Sequence, residues 1–303
     1  MKVFMTGASG YIGGSVAAAL VESGHQVIGL VRSAQRASEV RERGIEPVQG
    51  TLSDIRLLVQ MTREADAVIN TASSDDRMCV EAMLPALWGT NKPFIHTSGS
   101  SIVADLAAGQ RGERIYEDDT PVEPLPGRAA RVAIDKVVLG TARTTVRAVV
   151  ICPTMIYGRG RGVHAESIQV PQLIALARKH GVAKHVGPGE NIWSNVHIDD
   201  LVDLYLAALE RAPGGAFYYA ENGENSLREV AAAISRALGF GGRAEPMSME
   251  EAAAELGEGA ASYSFGSNSR VRAVRARREL GWSPKRPGLI EDIERGSLVQ
   301  APT

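Results

Sequence analysis

The sequence has little cysteine, no excess of charge and no long apolar run, and each absence removes a class of function. Only two cysteines occur in 303 residues, Cys79 and Cys152. They lie in separate hydrophobic neighbourhoods, without a second cysteine or a histidine at metal-ligand spacing. Both read as small core residues in a reducing compartment, and no metal site is expected. Lysine and arginine number 33 against 35 acidic residues. The chain therefore lacks the basic surplus that holds a polyanion, and nucleic acid is not expected as a partner. No stretch approaches the ~20 apolar residues of a membrane span. The opening Met1-Lys2-Val3-Phe4-Met5 is too short for a secretion signal and leads straight into a structured motif. A soluble, cytoplasmic protein with no membrane partner is the expectation.

What is present is an alternation. Short β-branched runs at Lys2 to Met5, Gln26 to Val31, Glu46 to Gln49, Ala67 to Thr71, Pro93 to Thr97 and Val146 to Ile151 predict strands. Between them, helical patterns run over Tyr11 to Glu22, Ala34 to Arg43, Ile55 to Glu64, Arg77 to Trp88 and Arg128 to Arg143. Strands alternating with helices require right-handed crossovers, hence an α/β fold with a doubly wound parallel sheet. Beyond Ile156 the rhythm changes to helices at Ser167 to His180, Asp199 to Arg211, Leu227 to Leu238, Met249 to Leu256 and Arg270 to Leu280. The expected organisation is a nucleotide-binding domain over residues 1–156 and a smaller substrate lobe over 157–303, with 190–220 returning to the first domain.

The first turn carries chemistry. Thr6-Gly7-Ala8-Ser9-Gly10-Tyr11-Ile12-Gly13 follows the first strand and opens the first helix. Gly7, Gly10 and Gly13 permit a tight turn, close backbone approach to a pyrophosphate, and tight packing of helix on strand. Ser9 lies within the turn, and the amides of Tyr11 and Ile12 point their partial positive charge at the phosphates. This is the Rossmann dinucleotide pattern. The end of the second strand selects the cofactor. An acidic residue there would bond the ribose hydroxyls of NAD, whereas this chain has Arg32 and Ser33. A guanidinium pairs with a 2′-phosphate and a hydroxyl donates to it, so NADP is expected. Asp54 is placed to cap the third helix, to accept from the adenine amino group, or both. The small residues Thr71, Ala72 and Ser73 suit backbone lying against the cofactor.

These motifs, with Phe94-Ile95-His96-Thr97-Ser98, Glu117-Asp118-Asp119-Thr120-Pro121, Pro153-Thr154-Met155-Ile156-Tyr157-Gly158, Asn195-Val196-His197-Ile198-Asp199-Asp200 and Leu280-Gly281-Trp282-Ser283-Pro284, resemble the NAD(P)-dependent epimerase/dehydratase family, the extended short-chain dehydrogenase/reductases. The resemblance implies a tyrosine and a lysine four residues apart on one helix face, with a serine or threonine after the preceding strand. The lysine lowers the phenol pKa and holds the nicotinamide ribose, and the tyrosine exchanges a proton as hydride moves. Here Lys136 matches the lysine, but Val132 stands at the tyrosine position. Ser98, Ser100 and Ser101 are all near the serine position, with Ser100 preferred. Pro153 and Met155 are expected beside the nicotinamide ring.

Three accounts follow from the missing tyrosine. Another group donates the proton, among Tyr157, Tyr116, His197, Lys136 and water, with Tyr157 preferred. Alternatively the substrate needs little acid catalysis, as an imine or activated C=C bond would. Otherwise the chain binds NADP(H) without turnover, as a redox sensor or regulator. The favoured expectation is NADPH-dependent reduction of a small carbonyl, imine or enone compound. Sugar-nucleotide epimerisation is disfavoured because it usually relies on that tyrosine. The basic loop Arg159-Gly160-Arg161-Gly162-Val163-His164 lies at the cleft mouth, where it can close over a phosphate or remain a solvated turn. The helices at Arg77 to Trp88 and Arg128 to Arg143 resemble those through which family members form a homodimer.

Overall fold

Seven short apolar strands pair side by side in parallel because each is returned to the same edge by a helix. The computed structural model describes residues 1–295, so the last eight residues of the expected substrate lobe lie outside the described residues. In order, the first half comprises β1 (Lys2–Thr6), α1 (Tyr11–Glu22), β2 (Gln26–Val31), α2 (Ala34–Arg41), β3 (Glu46–Gln49), α3 (Ile55–Glu64), β4 (Ala67–Asn70), α4 (Arg77–Met83), β5 (Pro93–Thr97), β6 (Tyr116–Glu117), α5 (Pro126–Gly140) and β7 (Arg147–Pro153). There follow β8 (Met155–Tyr157), α6 (Gln169–His180), β9 (Ala183–Val186), β10 (Ile192–His197), α7 (Ile198–Arg211), β11 (Ala216–Ala220), β12 (Glu224–Ser226), α8 (Leu227–Ala237), β13 (Ala244–Met247), α9 (Met249–Leu256), α10 (Glu258–Ala260), β14 (Val271–Arg272), α11 (Val274–Leu280) and α12 (Leu289–Arg295).

The main sheet has the order β11-β7-β5-β4-β1-β2-β3, and every pairing in it is parallel. Alternate residues of each strand enter different cores, as the two-residue period of a pleated strand requires. Val3, Met5, Ile69, Ile95 and Val149 pack with Val16 and Leu20 of α1 and Leu201 and Tyr205 of α7. Phe4, Val68, Phe94, Ala148 and Val150 pack with Leu58 of α3, Val80 of α4, and Ile134 and Val138 of α5. Burial on both faces explains the apolar runs Ala67-Val68-Ile69 in β4 and Pro93-Phe94-Ile95 in β5. Each such side chain contributes roughly 1.5–3 kcal/mol when fully buried.

The chain crosses between the sheet and a second core. Tyr157, Leu173, Ile174, Trp193, Val230, Ile234 and Phe265 form the interior of the smaller lobe. There β10 pairs with β8 in parallel and β12 in antiparallel, while β9 pairs with β13. Between those strands α7 and β11 lie with the main sheet, β11 as its edge beside β7. Then β14 comes back to pair with β6. No helix among the described residues is long and apolar enough to cross a membrane.

Several element boundaries depart from expectation for physical reasons. The helix predicted over Arg77 to Trp88 ends at Met83, and Leu84–Leu87 tightens into a 3-10 turn. Pro85 there lacks an amide and cannot continue the i→i−4 ladder. The next long helix starts earlier than predicted, at Pro126, whose fixed φ and absent amide suit a first helical position. The helix predicted from Arg270 begins only at Val274, because Val271–Arg272 is taken up by pairing with β6.

Candidate functional site

Strand order reverses at β1, with β2 and β3 on one side and β4, β5, β7 and β11 on the other. Ligands of open α/β sheets bind at this point, outside the carboxyl ends of the strands. A cleft of about 550 Å³ lies there, lined by Gly7, Ser9, Gly10, Leu30, Val31, Arg32, Arg36, Gly50, Thr51, Leu52, Thr71, Ala72 and His164. Six of the residues singled out from the sequence, Gly7, Ser9, Gly10, Arg32, Thr71 and Ala72, are thus brought to one wall.

The turn after β1 fits a pyrophosphate. Gly7 has φ +74°, a left-handed conformation costly for other residues. A β-carbon on Gly13 would stand 2.3 Å from both the Gly7 carbonyl oxygen and Thr71 Oγ1, so the turn closes against the end of β4 with no room for a side chain. The first turn of α1 has no side-chain cap. The amides of Tyr11 and Ile12 therefore remain available to an anion. The Tyr11 hydroxyl donates to the carbonyls of Tyr157 and Gly158 at 3.0 and 2.8 Å, which ties the following loop to the turn. That loop packs down, with Arg161 N donating to Ser15 Oγ at 3.0 Å and Gly162 against Gly14, and it brings His164 over the cleft.

At the β2 end, Arg32 is exposed and makes neither a hydrogen bond nor an ion pair among the described residues. Ser33 caps α2 by accepting from Arg36 N at 3.3 Å, which leaves its own hydroxyl hydrogen free to donate. Arg36 is held by Glu39 at 2.6 Å. Asp54 does not cap α3 through its side chain. Its carboxylate instead accepts from Thr51 N and Oγ1 at 2.6 and 3.0 Å, and it lies outside the cleft lining; Thr51 and Leu52, which were not singled out, form that wall. Ser73 accepts from Asp75 N at 3.2 Å just beyond the lining. Pro153 ends β7, and Met155 is buried in the core of the smaller lobe.

The three catalytic candidates do not converge. Lys136 is exposed, without a hydrogen bond or ion pair among the described residues, and borders a separate hollow with Asp118, Val132 and Phe217. Tyr157 is fully buried; its hydroxyl donates to the Pro287 carbonyl at 2.7 Å, and burial pushes its pKa above the usual phenol range. Ser100 is buried against Ser269, Oγ to Oγ at 2.9 Å. His197, also considered as a proton donor, caps α7 by accepting from Asp199 N at 3.1 Å.

One helical position earlier, a different pair faces the ends of β4 and β5. Arg131 forms a two-pronged ion pair with Asp75, at 2.9 and 2.6 Å, and donates to Ser101 Oγ at 3.2 Å. Its Nη1 lies 3.0 Å from where a β-carbon on Gly99 would stand. Asp135, one turn on, is buried and accepts from Ser98 Oγ at 2.7 Å. Beneath it Thr6 Oγ1 donates to Asn70 Oδ1 at 2.5 Å, and Asn70 Nδ2 contacts His96 Nδ1 at 3.0 Å. The amide is thereby oriented as donor to Nδ1, so the imidazole carries its hydrogen on Nε2, 3.8 Å from Asp135 Oδ1. Neither of these two atoms has a hydrogen-bond partner among the described residues. Burial raises the Asp135 carboxyl to about 6, against the lowering from Ser98 and Arg131. Burial first, and Arg131 second, lower His96 to about 4. At neutral pH the pair is a carboxylate beside a neutral imidazole.

The sheet, its switch point and the glycine turn define a dinucleotide-binding α/β protein. The chain belongs to the NAD dependent epimerase/dehydratase family, whose model matches residues 3–218. It is similar to an oxidase of Acremonium sp, 32% identical over 338 residues covering 97% of this chain and 95% of that one. It is also similar to the 4-hydroxy-2-methyl-3-oxo-4-farnesyl-3,4-dihydroquinoline-1-oxide ketoreductase of Stigmatella aurantiaca, 27% identical with 93% and 92% covered. In fold it matches dTDP-glucose 4,6-dehydratase from Bacillus anthracis in complex with NAD, with a TM-score of 0.75, 18% identity, and 97% and 96% of the two chains covered.

Proposed function

We propose that this chain is an NADPH-dependent oxidoreductase that reduces a small carbonyl, imine or enone compound. The observation that carries the reading is the cleft at the switch point, with the unpaired Arg32 at its β2 end. In this reading the amides of Tyr11 and Ile12 and the backbone of Gly7, Ser9 and Gly10 hold the pyrophosphate. Arg32 and the Ser33 hydroxyl hold the 2′-phosphate, and Thr51 and Leu52 bound the adenine. Thr71, Ala72 and Ser73 lead the dinucleotide toward the ends of β4 and β5. When bound there, NADPH supplies the hydride. Relatives named as a ketoreductase and an oxidase support a redox reaction.

Proton delivery requires a group other than the family tyrosine. Ser98, hydrogen-bonded to Asp135, and the guanidinium of Arg131 stand nearest the ends of β4 and β5. The guanidinium stabilises negative charge developing on a substrate oxygen but does not itself lose a proton. The dispersal of Lys136, Ser100 and Tyr157 favours a second reading, NADP(H) binding without turnover. The two are separated by following NADPH oxidation at 340 nm, the reduced nicotinamide band, over a panel of carbonyl, imine and enone compounds. Turnover of any class supports the reductase; tight binding with none supports the sensor.

A further inference from the structure

We propose that Arg128 and Arg131 form a carboxylate-recognition site beside the carboxyl end of β5, beyond the lining of the dinucleotide cleft, so that the compound reduced there is an oxo acid. This rests on the reductase reading for the reaction, though not for the binding. Arg128 lies on the first turn of α5, beside Arg131, and both donate to Ser101 Oγ, at 2.9 and 3.2 Å. Arg131 is matched by Asp75. Arg128 has no acidic partner among the described residues; its Nε is spent on Ser101 and its Nη1 reaches the Gly127 carbonyl at 3.0 Å, while Nη2 makes no hydrogen bond.

Tyr263, from the smaller lobe, packs its ring 4.1 Å from the Arg128 guanidinium. A β-carbon on Gly127 would stand 2.3 Å from the Tyr263 hydroxyl, so the start of α5 is shaped to accept this ring. The stacking fixes the plane of the guanidinium and leaves its outer edge free. Burial first, and the neighbouring Arg131 second, hold the Arg128 pKa below its usual range against the opposing pull of Asp75, the single carboxylate the two guanidinium groups share. Asp135 does not supply a second one, being engaged by Ser98 on the inner side. One uncompensated, oriented guanidinium complements a monoanion through paired N–H···O bonds. A dianionic phosphate would call for a second free cation.

The test titrates 3-oxobutanoate, and separately its methyl ester, into the protein saturated with NADP⁺, by calorimetry. Binding of the acid should exceed that of the ester by at least about tenfold, the worth of one charge-assisted contact. Arg128→Gln should abolish that preference with NADP⁺ affinity unchanged, and Arg128→Lys, which keeps the charge and loses the fork, should retain part of it. Acid and ester binding alike, an unaltered preference in Arg128→Gln, or inorganic phosphate binding more tightly than the acid would each overturn the proposal. Failure of NADP⁺ to bind would instead overturn the reductase reading. The same acid titration on the nucleotide-free protein would then still decide whether Arg128 holds a carboxylate.

Discussion

Arg131 occupies the space that Gly99 leaves open. Its Nη1 is 3.0 Å from the site of a Gly99 β-carbon, and Asp75 and Ser101 hold it there. The Gly99 backbone is extended, with φ −170°, so any residue could adopt it and the constraint is purely one of space. Gly99→Ala should therefore cost about 1–2 kcal/mol, the range for overfilling a packed site. In the Arg131→Ala background the same change should cost much less, because the crowded atom has gone. Urea denaturation of the four proteins measures the coupling, and additive losses would show that the two residues do not interact.

The glycine turn predicts a sharper loss. Gly13→Ala places a methyl 2.3 Å from the Gly7 carbonyl oxygen, where backbone rather than a flexible side chain must yield. Dinucleotide affinity should fall by at least about tenfold, because displacement of the turn misaligns the α1 amides. Calorimetric titration of a folded variant checks this; unchanged affinity would remove the turn from the binding site.

Asp135 and His96 predict opposed pH dependences. Burial holds Asp135 at about 6, so the folded state binds its proton more tightly than the unfolded chain, and stability falls as pH rises from the ordinary carboxylate range toward 6. His96 is held down to about 4, so the unfolded chain takes up its proton first, and stability falls as pH drops from its ordinary value toward 4. Arg131, Asp75 and Cys152 also face this cluster and accompany both titrations. The two effects oppose each other, each up to about 3 kcal/mol for shifts of this size. Asp135→Asn leaves the histidine effect alone, so the variant should lose more stability than the wild type between about pH 6.5 and about pH 4.5. Urea midpoints at the two pH values test this, and parallel profiles would contradict it.

The main sheet and the glycine turn were legible because both are written in short segments: a strand of a few apolar residues, then glycines within one turn. The phase of α5 was not. A spacing of four fits Val132 with Lys136 and Arg131 with Asp135 equally well, and only packing decides between them. Val132 and Asp135 turn inward while Lys136 faces solvent. The surroundings of Ser100 were equally illegible, since the chain turns sharply after β5 and directs that hydroxyl to Ser269, from a distant part of the chain. Tyr157 finds its partner at Pro287, a contact no local pattern announces. The chemical clue to the alternative site was Arg131, directly beside Val132, with Asp135 four residues on.

Arg32 carries the discrimination between NADPH and NADH proposed for this cleft. Calorimetric titration of the wild type and Arg32→Ala with NADPH and with NADH tests it directly. The wild type should bind NADPH at least about tenfold more tightly than NADH, and the variant should lose that preference while NADH affinity changes little. Equal affinities in the wild type, or equal losses of both nucleotides in the variant, would contradict the assignment of this cleft to NADP.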